Sequence, residues 1–118
     1  MPTWMKFRPT ATDNISLNAV TTGTGTPIAM QDCRQVTWTV KGVGTVSGGT
    51  VKIESVDTQD YSGTWNELDS IDLSSPVLTD SEYQGTYPGG VGGFFRGRVS
   101  SNVTGGGTVT VSFNGLFG

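Results

Sequence analysis

Carboxylates are the only plentiful reactive groups in this 118-residue chain, and they are crowded. Eight of the ten acidic residues fall in one stretch: Glu54, Asp57, Asp60, Glu67, Asp69, Asp72, Asp80 and Glu82. Glu67 and Asp69, two apart on a strand, would share a face at roughly the separation of paired carboxylates. Glycosidases flank a bond in a cleft with such a pair. Nothing around these two residues builds a cleft, so solvated side chains are the plainer reading. Asp57 and Asp60 offer clustered oxygens of the kind a calcium ion takes. Their spacing is not that of an EF-hand loop, and Asp at a turn ordinarily bonds its own backbone. Five of the seven basic residues lie within residues 1–53, namely Lys6, Arg8, Arg34, Lys41 and Lys52. An acidic patch set against a basic one would steer copies toward each other more than hold them. Arg96 and Arg98 share one face of a strand and pair with acids across the sheet or with a partner, surface pairing being the duller choice.

Other chemistry is excluded by what the chain lacks. It has no histidine, which removes the commonest general base and transition-metal ligand. Cys33 is the only cysteine, so neither an intrachain disulfide, a thiolate cluster nor a Cys-His pair can form. The net charge of −3 argues against gripping a nucleic-acid backbone. No apolar run reaches the roughly 20 residues of a membrane helix, and the N-terminus has no apolar signal segment. These features lead us to expect no cofactor, no metal, no catalytic residue, and synthesis in a cytoplasm without processing. The run Gly89-Gly90-Val91-Gly92-Gly93 precedes a strand pattern, not a helix, and is no phosphate loop. Trp4, Tyr61, Trp65, Tyr83 and Tyr87 are the aromatics that would stack on a sugar if exposed; core burial or subunit contact is the usual fate of each.

The elements that must position these residues read as short strands. Eighteen glycines, many Thr and Ser residues, 34% apolar and 14% charged residues fit one all-β domain with tight turns. In residues 108–113 Val109, Val111 and Phe113 alternate with Thr108, Thr110 and Ser112, one face buried and one wet. In residues 94–99 Phe95, Gly97 and Val99 oppose Phe94, Arg96 and Arg98. The glycines between suit an antiparallel hairpin. Residues 35–41 point Val36, Trp38 and Val40 inward, with Trp38 at the core centre. Residues 50–56 point Val51 and Ile53 inward, with Lys52 and Glu54 outward. Ile15, Leu17 and Ala19 line one face of a strand over residues 14–22, residues 23–25 turn, and a short strand over 26–30 begins at Pro27, as an edge does. Residues 42–49 read as a flexible turn. Trp65 and Leu68 are buried anchors whose odd spacing signals a bulge or a turn between them. A last strand spans residues 83–87. Seven or eight such strands specify a single antiparallel β-sandwich, jelly-roll or immunoglobulin-like. Residues 1–9 form an arm ahead of a domain over residues 10–118.

Several segments resemble a small β-sandwich module common among virion proteins of tailed bacteriophages. They are residues 18–26 (NAVTTGTGT), 34–42 (RQVTWTVKG), 49–55 (GTVKIES), 62–68 (SGTWNEL) and 95–111 (FRGRVSSNVTGGGTVTV). The chain departs from that pattern before Trp65, where residues 57–62 replace a short Asp-Gly turn. The resemblance implies a non-enzymatic structural role in the virion. A decoration or cement protein on the outside of the head, bound to the major capsid protein and to copies of itself, is the leading form. A trimer at a lattice three-fold is the preferred assembly. A tail, baseplate or receptor-binding part is the first alternative, and a carbohydrate-binding module the second. The apolar ends are the expected contact surface: Trp4, Met5, Phe7 and Arg8 in the arm, and Leu116 and Phe117 at the other terminus.

Overall fold

Alternating apolar residues make strands, and the strands here close over one another in two layers. The computed structural model describes residues 6–7, 14–30, 33–57, 61–74, 78–87 and 93–117. Its strands are β1 (Lys6–Phe7), β2 (Ile15–Val20), β3 (Gly23–Thr24), β4 (Ile28–Ala29), β5 (Cys33–Val43), β6 (Gly48–Val56), β7 (Asn66–Asp72), β8 (Glu82–Tyr87), β9 (Phe94–Thr104) and β10 (Thr108–Phe117). One sheet runs β2-β10-β5-β8, with β1 sharing the β10 edge with β2. The other runs β3-β9-β6-β7, with β4 on the same edge of β9 as β3. Every pairing is antiparallel. With β3 and β4 counted as one interrupted strand and β1 set aside, eight strands remain. Their order is that of a jelly roll, which decides between the two sandwich topologies the sequence left open.

The hairpin expected around Gly105–Gly107 does not form. β9 and β10 belong to different sheets, and the glycines carry the chain over the gap as an arch. Gly105 and Gly106 take φ of 107° and 97°, which glycine adopts without strain, and the Gly107 N–H donates to the Thr45 carbonyl at 2.8 Å. The physical reason lies in the two apolar stripes. Side by side in a hairpin they would line one face and still need a cover. Facing each other across the arch, Phe95, Gly97 and Val99 bury Val109, Val111 and Phe113, and are buried by them.

The buried set follows the alternation closely elsewhere. Val36, Trp38, Val40, Val51 and Ile53 are core residues. Trp38 lies in that core, its indole over Gly85 of β8, where a Cβ would stand 2.4 Å from Nε1. The segment read as a flexible turn, residues 42–49, is mostly strand and crossing. Gly42 and Val43 end β5, Gly48 and Gly49 start β6, and Val46 between them is fully buried. Gly23 and Thr24, read as a turn, pair with Val99 and Arg98.

β2 departs most from its pattern. Ser16 and Leu17 are both buried, while Ala19 is exposed at φ 51°, and the pairing of β2 with β10 slips on both sides of Val111. Ser16 is inside for a reason the alternation rule does not contain. Its hydroxyl donates to the Thr26 carbonyl at 2.8 Å and accepts from the Gly97 N–H at 3.0 Å. It supplies the bonds missing where β3 gives way to β4, and so ties one sheet to the other.

At the opposite edge Tyr83 of β8 reaches across the layers. Its hydroxyl donates to Asp69 Oδ2 of β7 at 3.0 Å. That hydrogen bond, with burial and the Asp69 charge adding to it, raises the Tyr83 pKa above its ordinary value of 10.0. A phenol with a raised folded pKa contributes stability that is present below pH 10 and lost as pH rises through the folded value. Wild type should therefore out-melt Tyr83→Phe at pH 7–9 and lose that margin above pH 10. Thermal melts of both proteins from pH 7 to 11.5 check this, and a margin that grows with pH would contradict it. The side chain is partly solvated, so the margin is small, on the order of 1 kcal/mol or less.

Candidate functional site

Of the six residues expected to meet a partner, Trp4, Met5 and Arg8 lie outside the described residues. Phe7 is in β1, and Leu116 and Phe117 end β10. The backbone ladder sets Lys6 opposite Phe117 and Phe7 opposite Leu116. Residues far apart in sequence are thus brought together, with β1 as the edge strand and the end of β10 held between β1 and β5.

A second site rises from the outer face of the β6–β9 sheet. Glu54, Arg96 and Arg98 all point away from the core, yet Glu54 is only 4% exposed. Its Oε1 accepts from Arg96 Nε at 3.0 Å, and its Oε2 from Arg98 Nε at 3.1 Å and Nη2 at 3.0 Å. The sequence placed Glu54 on a wet face; the two guanidiniums and Trp65 close over it. Arg96 lies 4.0 Å above the Trp65 ring, a cation–π contact. Trp65 is buried, but outside the cluster between the sheets. Its Nε1 donates to the Tyr61 carbonyl at 3.1 Å, which closes the loop from Tyr61 to Trp65. Tyr61 itself is 49% exposed, and its ring rests on Gly63, where a Cβ would stand 2.3 Å from the hydroxyl. Beside it opens a cavity of about 250 Å³ lined by Val56, Asp57, Tyr61, Thr64 and Asn66.

The bulge foreseen between Trp65 and Leu68 is present, and it separates the two candidate carboxylates. Glu54 pairs with Glu67 but Ile53 with Asp69, so Leu68 is the extra residue on β7. Glu67 turns to the outer face and meets Lys52 Nζ at 2.6 Å. Asp69 turns to the Tyr83 hydroxyl. They do not share a face, and this pair cannot flank one bond. Of the basic residues grouped within residues 1–53, Lys52 is paired within the molecule, with Glu67. Asp57 lines the cavity, while Asp60 lies outside the described residues. Among the described residues no group of three or more His, Cys, Asp and Glu side chains gathers. Asp72 accepts from the Ser74 N–H at 3.0 Å and hydroxyl at 2.7 Å, which hold its carboxyl below the ordinary value.

Of the other aromatics weighed for sugar stacking, Tyr87 meets Phe95 edge-on at 6.3 Å and Tyr83 borders the core. Trp4 is outside the described residues. The sequence put Tyr61 and Trp65 among five candidate aromatics but did not give their division of labour. The glycine two positions after Tyr61 and two before Trp65 was the available signal, since it makes room for a ring.

No family model matches the chain, and no curated protein matches it. Among solved structures, one similar chain is a glycoside hydrolase family 43 arabinoxylan arabinofuranohydrolase from Bacillus subtilis, in complex with cellotetraose. The TM-score is 0.40 at 13% identity, over 84% of this chain and 20% of that one. The present chain thus spans about a fifth of that enzyme's length, and nothing about substrate passes from one to the other at this likeness.

Proposed function

We propose that the chain is a structural component of a tailed-bacteriophage particle, a decoration (cement) protein that grips the outside of the head lattice through its paired ends. The observation that carries the reading is the short ladder between β1, an edge strand, and the end of β10, which sets Phe7 opposite Leu116 and Lys6 opposite Phe117. Aromatic and aliphatic residues gathered in one place make the anchors on which interface energy concentrates. The resemblance of residues 18–26, 34–42, 49–55, 62–68 and 95–111 to phage virion sandwiches supports it, and jelly rolls recur in viral capsids. Fold analogy alone is a weak warrant, so the weight rests on the ends. Each copy contributes modest affinity, and copies tied to one another, as in a trimer on a three-fold, multiply it by raising effective concentration. The role needs no cofactor and no reaction.

The test is cosedimentation of the purified protein with phage heads that lack it, alongside isolated tails. Full-length protein should pellet with heads, and a chain lacking residues 1–9 should bind at least tenfold more weakly while keeping its β-sheet circular dichroism. Undiminished binding by the truncated chain would remove the anchor. Binding to tails and not heads would favour the tail or baseplate reading.

A further inference from the structure

We propose that the cavity beside Tyr61 is a saccharide subsite that accepts one uncharged or amino sugar ring. Its walls divide into the two kinds of surface a sugar needs. Tyr61 presents an exposed aromatic ring, suited to the C–H face of a pyranose. Val56 forms an apolar floor, and Asp57, Thr64 and Asn66 bring a carboxyl, a hydroxyl and an amide to the rim. Asp57, Tyr61, Thr64 and Asn66 are all exposed around the cavity, where ligand hydroxyls can reach them. Polar groups placed this way fix orientation, while apolar contact supplies affinity.

The backbone that carries the platform is also held in place, which separates it from a tyrosine on an untethered loop. The Tyr61 carbonyl is bonded by the Trp65 indole, Trp65 is covered by Arg96, and Arg96 is fixed by buried Glu54. Gly63 leaves the space the ring occupies. A backbone already ordered loses little entropy when a ligand stacks on the ring it carries. The volume of about 250 Å³ lies below the roughly 300–1,000 Å³ of drug-sized pockets, so one ring enters and any further sugars of a chain stay in solvent. The acidic group at the rim repels sialic or uronic acids and attracts an amino sugar.

Gly63 supplies a sharp test. A methyl there would overlap the far end of the Tyr61 side chain, which can swing into solvent, so Gly63→Ala moves the platform and leaves the fold. Wild type, Tyr61→Phe, Tyr61→Ala and Gly63→Ala are applied to an array carrying neutral, amino and acidic glycans. In parallel, each is titrated with glucose, galactose, N-acetylglucosamine and glucosamine while backbone amide shifts are followed. Wild type and Tyr61→Phe should bind neutral or amino glycans and shift the amides of residues 57, 61, 64 and 66. Tyr61→Ala and Gly63→Ala should each lose at least tenfold in affinity. The proposal is overturned if wild type binds no glycan in either format, if it binds acidic glycans alone, or if Tyr61→Ala binds as wild type does. The variants leave both chain ends intact, so this outcome and that of the head-binding test are independent.

Discussion

Replacing Glu54 by alanine should cost about 2–4 kcal/mol of stability, a large effect for one residue on the outer face of a sheet. Breaking a buried ion pair by removing one partner ordinarily costs about 3–5 kcal/mol, because the remaining charge is left buried without compensation. Here two charges remain. Arg96 and Arg98 would face each other with no carboxylate between them. Their side chains keep 19% and 34% of their exposure, so water recovers part of the loss, and the figure is set lower for that reason. At roughly 4 °C per kcal/mol for a domain of this size, the melting temperature should fall by about 8–16 °C. Arg98→Ala should cost less, since it leaves the Arg96–Glu54 pair and the cover on Trp65 in place. Salt should restore little of the wild-type margin, because a covered pair is weakly screened. Urea titrations of the two variants measure this, and equal losses, or a Glu54→Ala loss under 1 kcal/mol, would show that the triad is an ordinary surface cluster.

The same triad marks where sequence reasoning stops. Period-two alternation correctly put Glu54, Arg96 and Arg98 on the side away from the core. It treats that side as water. Whether an outward residue is wet depends on what the next loop does, and residues 61–65 fold back so that Trp65 packs against Arg96. Strands whose partners lie far off in sequence were legible as strands but not as pairs. Val109, Val111 and Phe113 read plainly as one face, yet the chain leaving β9 crosses to the other sheet. A glycine run signals a reversal without saying whether the next strand lies beside the first or opposite it. Ser16 failed for a third reason. A hydroxyl placed inside to mend a broken edge looks, in a pattern, like a wet residue out of step. The bulge at Leu68 was legible because it disturbs the pattern itself. Around the proposed saccharide subsite, the aromatics carried a signal, whereas Thr64 and Asn66 did not. Short polar residues at a loop's end and a strand's start gain meaning only from the cavity they surround.

Phe113→Ala should be the most costly single truncation of the core, at about 3–5 kcal/mol, or roughly 12–20 °C in melting temperature. Phe113 is fully buried, sits opposite Trp38 on the neighbouring strand and meets the Phe95 ring at 5.8 Å from the other sheet. The cost of such a change depends on whether the structure can close over the gap. One layer away it cannot. Gly97 already faces Val111 so closely that a methyl group on it would stand 2.9 Å from a valine carbon, and Ser16 bonds the same Gly97 from the edge of the opposite sheet. The sheets are already in close contact there, so they cannot move together to fill the space vacated by the ring. The cavity should stay open, which puts the loss in the upper part of the range for aromatic truncation. Urea unfolding should show a lower midpoint with an unchanged slope, as a pure loss of stability requires. An apolar void of this kind takes small apolar molecules, so benzene should raise the melting temperature of Phe113→Ala and leave wild type unmoved. A loss below 2 kcal/mol without a benzene response would mean that the sheets do collapse, and that Gly97 does not set their spacing.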